Sequence, residues 1–116
     1  MKRSTVEVDG VEVEVEESSG NVFADLGLPD PEERLAKADL AIAISRTLRD
    51  RGLTQVQAAE LLGVSQPDIS DLARGRLSGW SLDRLTRLLN RLGQDVEITV
   101  RPAQDPAQGH LLVRVA

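Results

Sequence analysis

The sequence contains no cysteine, and His110 near its end is its only histidine. Disulfide frameworks, Cys/His zinc sites and thiol nucleophiles are therefore excluded, and we expect neither a metal ion nor another cofactor. Because nothing in the chain requires oxidising surroundings, we expect it in the cytoplasm. No stretch approaches the roughly 18 apolar residues of a membrane span, so no membrane association is expected.

Aromatic residues are also scarce, since Phe23 and Trp80 are the only two. Proteins hold single-stranded nucleic acids by stacking bases on aromatic rings, so this class of ligand is disfavoured. Gly63-Val64-Ser65 resembles the start of a hydrolase nucleophile elbow, but Pro67 stands where the second glycine is required. The sequence has no phosphate-binding loop either, and we expect no enzymatic activity.

The charge of the chain is unevenly distributed. Its 116 residues carry a net charge of −5 at pH 7, and 41% of them are hydrophobic, which suffices for one modest core. Residues 1–33 hold ten acidic and two basic side chains, a net charge of −8, whereas residues 34–116 hold nine acidic and twelve basic ones, a net charge of +3. Such an asymmetry indicates two surfaces for two different partners.

Valine and glutamate alternate from Thr5 to Val15 around an Asp9-Gly10 pair. Asp-Gly is a preferred two-residue turn, so the segment predicts a β-hairpin in which Val8 lies opposite Val11. The glutamates would form a solvated face, because nothing beside them supplies a nucleophile, a metal ligand or a phosphate cradle. We interpret residues 18–21 as a turn or linker and residues 22–28 as a short apolar patch.

Four helices are predicted after this patch, each opened by a polar cap and closed by a glycine. The expected caps are Asp30, Thr54, Ser65 and Ser81, and the closing glycines are Gly52, Gly63, Gly75 and Gly93.

The sequence gives further indications about the third and fourth predicted helices. Asp68 is expected to complete the cap at Ser65, and Ile69, Leu72 and Ala73 form the apolar side of the third helix. Trp80 precedes the fourth helix at the position of a hydrophobic staple. We expect the polar side of that helix to be solvated; its basic residues are Arg84, Arg87 and Arg91.

The segment Asp95–Arg101 alternates with period two and predicts a β-strand, which Pro102 ends. Residues 111–115 are a candidate second strand. We therefore expect three regions: an acidic arm at residues 1–29, a helical domain at residues 30–93, and a C-terminal strand or pair of strands at residues 94–116.

The central residues resemble the Xre, or lambda-repressor-like, helix-turn-helix family. The resemblance covers roughly residues 40–92 and rests on Leu53-Thr54-Gln55, Ala58-Ala59, Leu62-Gly63-Val64-Ser65-Gln66, Ile69-Ser70 and Gly75. It implies a mainly α fold, with a DNA-binding helix-turn-helix domain of four to five helices. An N-terminal β-hairpin or arm and a C-terminal strand or hairpin would flank that domain.

This resemblance also implies which residues contact a double-stranded DNA operator. The expected base contacts are Gln66, Pro67, Ser70 and Asp71, and the expected phosphate contacts are Gln55, Ser65, Arg74 and Arg76. Asp71 departs from the amide or basic residue that often stands at such a position. A carboxylate there repels phosphates, which leaves its role open.

One short recognition helix reads only half of a palindromic operator, so we expect a twofold homodimer. A strand edge left open at the C-terminal end would be closed by its symmetry mate or by residues 111–115. The expected dimer interface is formed by Leu89, Leu92, Val96, Ile98 and Val100.

Residues 18–29, together with the strand predicted after the last helix, resemble HigA-type antitoxins of bacterial toxin-antitoxin pairs. This resemblance implies a dimeric repressor of its own operon that also neutralises a small basic ribonuclease toxin of the RelE/HigB type. Two alternatives stay open. One is a stand-alone or phage-type transcriptional repressor without a toxin, and the other is an interaction adaptor that has lost DNA binding.

Overall fold

The computed structural model describes residues 3–8, 11–16 and 21–116, and side chains from residue 21 onward. The described chain is mainly helical. Its five helices are α1 (Val22–Asp25), α2 (Pro31–Asp50), α3 (Gln55–Leu62), α4 (Gln66–Arg74) and α5 (Leu82–Arg91).

Two strands precede the helices. Strand β1 (Arg3–Val8) pairs in antiparallel fashion with β2 (Val11–Glu16), and Val8 lies opposite Val11. This register is the one that a two-residue turn at Asp9-Gly10 produces, although the turn itself lies outside the described residues.

Helix α1 occupies part of the segment that we expected to be only an apolar patch. The Asn21 side chain starts it, because Oδ1 accepts hydrogen bonds from the backbone N–H groups of Phe23 at 2.9 Å and Ala24 at 3.4 Å. The helix packs on α2, and the Phe23 side chain is buried. Residues 1–29 are therefore not a uniform arm, since their last part is packed against the helical body.

Helix α2 begins at Pro31 as expected, but the cap predicted for Asp30 is wrong in its chemistry. Asp30 has left-handed backbone angles, with φ 48° and ψ 54°, and its side chain makes no capping hydrogen bond. A capping side chain reaches the first-turn amides from an extended backbone, which this conformation does not provide.

The two helices of the central motif begin at capping boxes, as predicted. Thr54 Oγ1 accepts from the Gln57 N–H at 3.1 Å, and the Gln57 side chain accepts from the Thr54 N–H at 2.9 Å. Ser65 and Asp68 exchange the equivalent pair of bonds at 3.1 Å and 3.4 Å. These bonds satisfy first-turn donors that have no partner within the helix.

The core lies between α2, α3, α4 and α5. Trp80 is buried just before Ser81 caps α5, which is consistent with the expected staple, and Leu85 is also buried. The core side chains are Leu40, Ala41, Ile44, Leu48, Ala58, Ala59, Leu62, Ile69, Leu72, Trp80, Leu85, Leu88, Leu89 and Leu92.

The predicted C-terminal strands are wrong for this chain, because residues 94–116 are described and form none. Val96 and Val113 pack against the core, whereas Ile98 and Val100 are 87% and 92% exposed. A strand exists only where a neighbouring strand exchanges backbone hydrogen bonds with it. No segment of the described chain takes that place beside residues 95–101.

The C-terminal segment is instead fastened to the first turn of α2. His110 Nδ1 lies 2.6 Å from Glu32 Oε1, and the Leu111 N–H donates to Glu32 Oε2 at 2.7 Å. The hydrogen bond with His110, followed by that from Leu111, lowers the pKa of the Glu32 carboxyl below its usual value. This contact spans 78 residues of sequence, and no local pattern indicates it.

The turn at Gly63 gives a test of the central packing. Its φ is +67°, and a Cβ there would lie 2.7 Å from Arg91 Nη1, which donates to the Leu62 carbonyl at 2.6 Å. We expect Gly63→Ala to cost about 1–2 kcal/mol for the left-handed backbone and about 1 kcal/mol more for the displaced arginine.

Gly52→Ala is the matched control, because Gly52 has φ +66° and no atom within 4 Å of its added Cβ. The free energies of unfolding of both variants are to be measured by urea titration. Equal losses at the two positions would contradict a role for Arg91 in the turn.

Candidate nucleic-acid interface

The helix pair α3 and α4 is joined by a tight turn. Gly63 adopts a left-handed conformation, and the Val64 N–H closes the end of α3 by donating to the Ala59 carbonyl at 3.1 Å. Ala58 and Ala59 are buried, and their small side chains allow the neighbouring helices to approach closely. The turn therefore holds α4 at a fixed angle to α3, as in helix-turn-helix proteins.

Helix α4 has one buried side and one exposed side. Ile69 and Leu72 are in the core, while Gln66 and Pro67 are exposed at the start of the helix. Ser70 and Asp71 are half-buried. The four expected base contacts therefore divide into two projecting residues and two that are partly covered.

Ala73 does not lie on the apolar side, as we expected, but is exposed. The reason is its spacing: residues 66, 70 and 73 follow the i, i+4, i+7 pattern of a single helix face. Ala73 thus shares the face of Gln66 and Ser70. Sequence reasoning missed it because alanine is compatible with either side.

The expected phosphate contacts lie at both ends of the motif. Gln55 and Ser65 are exposed at the starts of α3 and α4, where the helix dipole favours an anion. Arg74 is exposed in the last turn of α4, and Arg76 is exposed just beyond Gly75. Ser65 thus precedes the exposed face of α4, and Arg74 and Arg76 follow it.

The polar side of α5 differs from the expected solvated face. Arg87 matches it, since its guanidinium pairs at 3.1 Å with Asp83 of the same helix and both side chains are exposed. Arg91 instead donates to the Leu62 carbonyl at the end of α3. Arg84 stacks on Trp80 and bonds Asp68 of α4, as described below.

Two of the expected dimer-interface residues are unavailable for a partner. Leu89 and Leu92 are 5% and 0% exposed within the chain's own core. The apolar stripe of α5 does not discriminate between a subunit interface and a domain core, which explains the error. Val96 is half-buried, and Ile98 and Val100 are exposed.

Other kinds of site find no support in the described ranges. Among residues 21–116, no three His, Asp or Glu side chains are grouped so that they could hold a metal ion. Within the same ranges, no helix is long and apolar enough to cross a membrane.

Comparison with known proteins identifies the family. Residues 22–101, which contain all five helices, match the helix-turn-helix domain family. A solved structure described as a candidate XRE-family transcriptional regulator is 42% identical and superposes with a TM-score of 0.69, over 76% of this chain and 100% of its own. The search of curated proteins gave no match. This chain therefore belongs to the XRE family of helix-turn-helix proteins.

Proposed function

We propose that this chain is a transcriptional repressor that binds double-stranded DNA sequence-specifically by inserting α4 into the major groove. The observation that carries the proposal is the exposed face of α4, which presents Gln66 at its start and Arg74 at its end. A major groove about 12 Å wide admits one helix in this orientation. The solved structure that this chain resembles is described as a transcriptional regulator, which supports the regulatory part of the proposal.

Base recognition is assigned to the projecting side chains of α4. The Gln66 amide matches the donor and acceptor pair on an adenine edge, and the apolar surfaces of Pro67 and Ala73 suit thymine methyl groups. Ser70 shares this face but is half-buried. Asp71 is half-buried and acidic, so we assign it the smallest part in base recognition.

Gln66→Ala and Arg74→Ala separate base recognition from phosphate binding. We expect Gln66→Ala to relax the preference at one base pair, at a cost of about 1–3 kcal/mol. Arg74→Ala should weaken binding to every duplex alike and lower the slope of log affinity against log salt by about one unit. Both are measured by fluorescence anisotropy on duplexes selected by the wild-type protein from a randomised library.

A specific result would contradict each part of this proposal. If Gln66→Ala weakens all duplexes equally, Gln66 does not read a base. If the wild-type protein enriches no sequence from the library, the chain is an interaction adaptor instead of a repressor.

We further propose that the functional unit is a twofold homodimer in which residues 95–101 of two copies meet. The alternation of this segment and the exposure of Ile98 and Val100 support the proposal. Apolar side chains exposed to this degree on a β-forming segment are suited to pairing with a second chain. A dimer would present two α4 helices to a palindromic operator.

Ile98→Asp should convert the dimer to a monomer, because it places a charge in the centre of the proposed interface. Leu112→Asp is the matched control, since it places the same charge at an exposed apolar side chain outside residues 95–101. Sedimentation velocity at micromolar concentration measures both. A dimer that persists in Ile98→Asp would place the interface elsewhere.

A second proposed role is neutralisation of a small basic ribonuclease toxin by the acidic N-terminal hairpin. Residues 1–17 hold six acidic and two basic side chains, a net charge of −4, which supports it, as does the resemblance of residues 18–29 to HigA-type antitoxins. A ribonuclease must carry a basic surface to hold RNA, and opposite charges accelerate and orient association. Phe23 is buried in the chain, so apolar contacts to a toxin fall to the hairpin valines.

Replacing Glu12, Glu14 and Glu16 with glutamine should weaken toxin binding at least tenfold while leaving DNA affinity unchanged, because only the acidic arm loses charge. The probe is the small basic protein encoded beside this gene, measured by calorimetry and by rescue of growth. The control neutralises three exposed acids outside every proposed interface, Asp50, Glu60 and Asp105, with the corresponding amides. Unchanged toxin affinity in the glutamine variant would place the toxin site on the helices. The lack of a neighbouring gene for a small basic protein would favour a stand-alone or phage-type repressor.

A further inference from the structure

Three side chains meet where α4 and α5 begin. The Arg84 guanidinium carbon lies 3.9 Å from the centre of the Trp80 ring, and Nη2 lies 3.3 Å from Asp68 Oδ2. The same Asp68 oxygen accepts the Ser65 N–H at 3.4 Å. One carboxylate therefore closes the cap of α4 and also bonds a side chain of α5.

The contact connects the recognition helix to the core. Trp80 is 4% exposed and packed in the core, so its ring gives the guanidinium a fixed surface to stack on. Arginine suits this place because its planar group stacks on an aromatic face while its edge donates hydrogen bonds. Trp80 thus holds Arg84, and Arg84 holds Asp68.

Asp68, which Arg84 holds, is close in sequence to Gln66, the proposed base contact. Asp68 lies in the first turn of α4, two residues after Gln66. A displacement of about 1 Å in this turn is enough to disturb a bidentate amide contact, which depends on geometry. The position of the carboxylate therefore influences how Gln66 meets a base edge.

We propose that Arg84 is a positioning residue that determines sequence specificity, because it holds the amino-terminal turn of α4 through Asp68. This inference rests on the proposed DNA-binding function. Arg84 need not touch DNA in this role, and direct contact with a phosphate is the competing outcome of the test.

The test measures a ratio of affinities, for the duplex selected by the wild-type protein and for a scrambled duplex of the same length and composition. Both duplexes carry the same phosphates, so general electrostatic effects largely cancel in the ratio. The variants are Arg84→Ala, Asp68→Asn and the double variant. Asparagine can still accept the Ser65 N–H, so Asp68→Asn removes the ion pair while keeping the cap.

We expect Arg84→Ala and Asp68→Asn each to lower the affinity ratio about five- to tenfold. The double variant should be no worse than either single variant within about twofold, because both changes remove the same ion pair. Arg84→Lys keeps the charge but loses the planar stack, and should also lower the ratio. Arg87→Ala is the matched control, since it removes the same charge from α5 without a contact to α4.

Trp80 is the only tryptophan, so its fluorescence reports the stack directly. Arg84→Ala should change the emission, whereas Arg87→Ala should not. The thermal unfolding temperature of each variant shows whether a lower affinity ratio comes from loss of the fold or from a displaced first turn of α4.

Three results would overturn the proposal. Additive losses in the double variant would mean that the two residues act separately. An unchanged ratio, with both affinities lowered and the salt slope reduced by about one unit, would make Arg84 a phosphate contact. An unchanged ratio with both affinities unchanged in Arg84→Ala and Asp68→Asn would show that the contact does not influence how Gln66 meets a base. If the wild-type protein selects no duplex at all, the proposed function fails before this inference is reached.

Discussion

The orientation of α4 depends on one backbone conformation, the left-handed turn at Gly63. This turn ends α3 and lets α4 start at once, so that Ile69 and Leu72 enter the core while Gln66 points outward. Arg91 reinforces the turn from α5 by bonding the Leu62 carbonyl. The exposed face of α4 is therefore a consequence of how the helix pair packs.

The ends of the helices are satisfied in two different ways. At the amino-terminal ends of α3, α4 and α5, short side chains nearby in sequence accept first-turn N–H groups. At the carboxyl-terminal ends of α3 and α5, nearby backbone N–H groups such as that of Val64 bond some of the last carbonyls. Arginines from distant segments donate to others: Arg91 to Leu62 at 2.6 Å, and Arg51 to Leu92 at 2.5 Å. Cations are favoured there by the helix dipole, so these arginines add to helix stability as well as joining the helices.

This difference explains what could be predicted from the sequence. The caps at Thr54 and Ser65 and the turn at Gly63 are local, and the structure confirms them. The burial of Leu89 and Leu92 and the contacts of Arg84 depend on which helices meet, and no local pattern contains that information. Helix α1 was missed because Asn21 was interpreted as part of a linker. The prediction of a C-terminal strand was wrong because alternation of apolar and polar residues indicates that a segment can pair as a strand. It does not indicate that a partner strand is present.

A net charge of −5 does not oppose the proposed DNA binding, because charge acts locally. At physiological salt the Debye length is about 8 Å, so exposed charges farther away than this are largely screened. On α4 itself, Asp68 is paired with Arg84 and Asp71 is half-buried, which limits the repulsion that either carboxylate exerts on a phosphate. Arg74 is exposed in the last turn of the same helix. The local balance at α4, rather than the total for the chain, therefore decides whether a duplex is attracted to this surface.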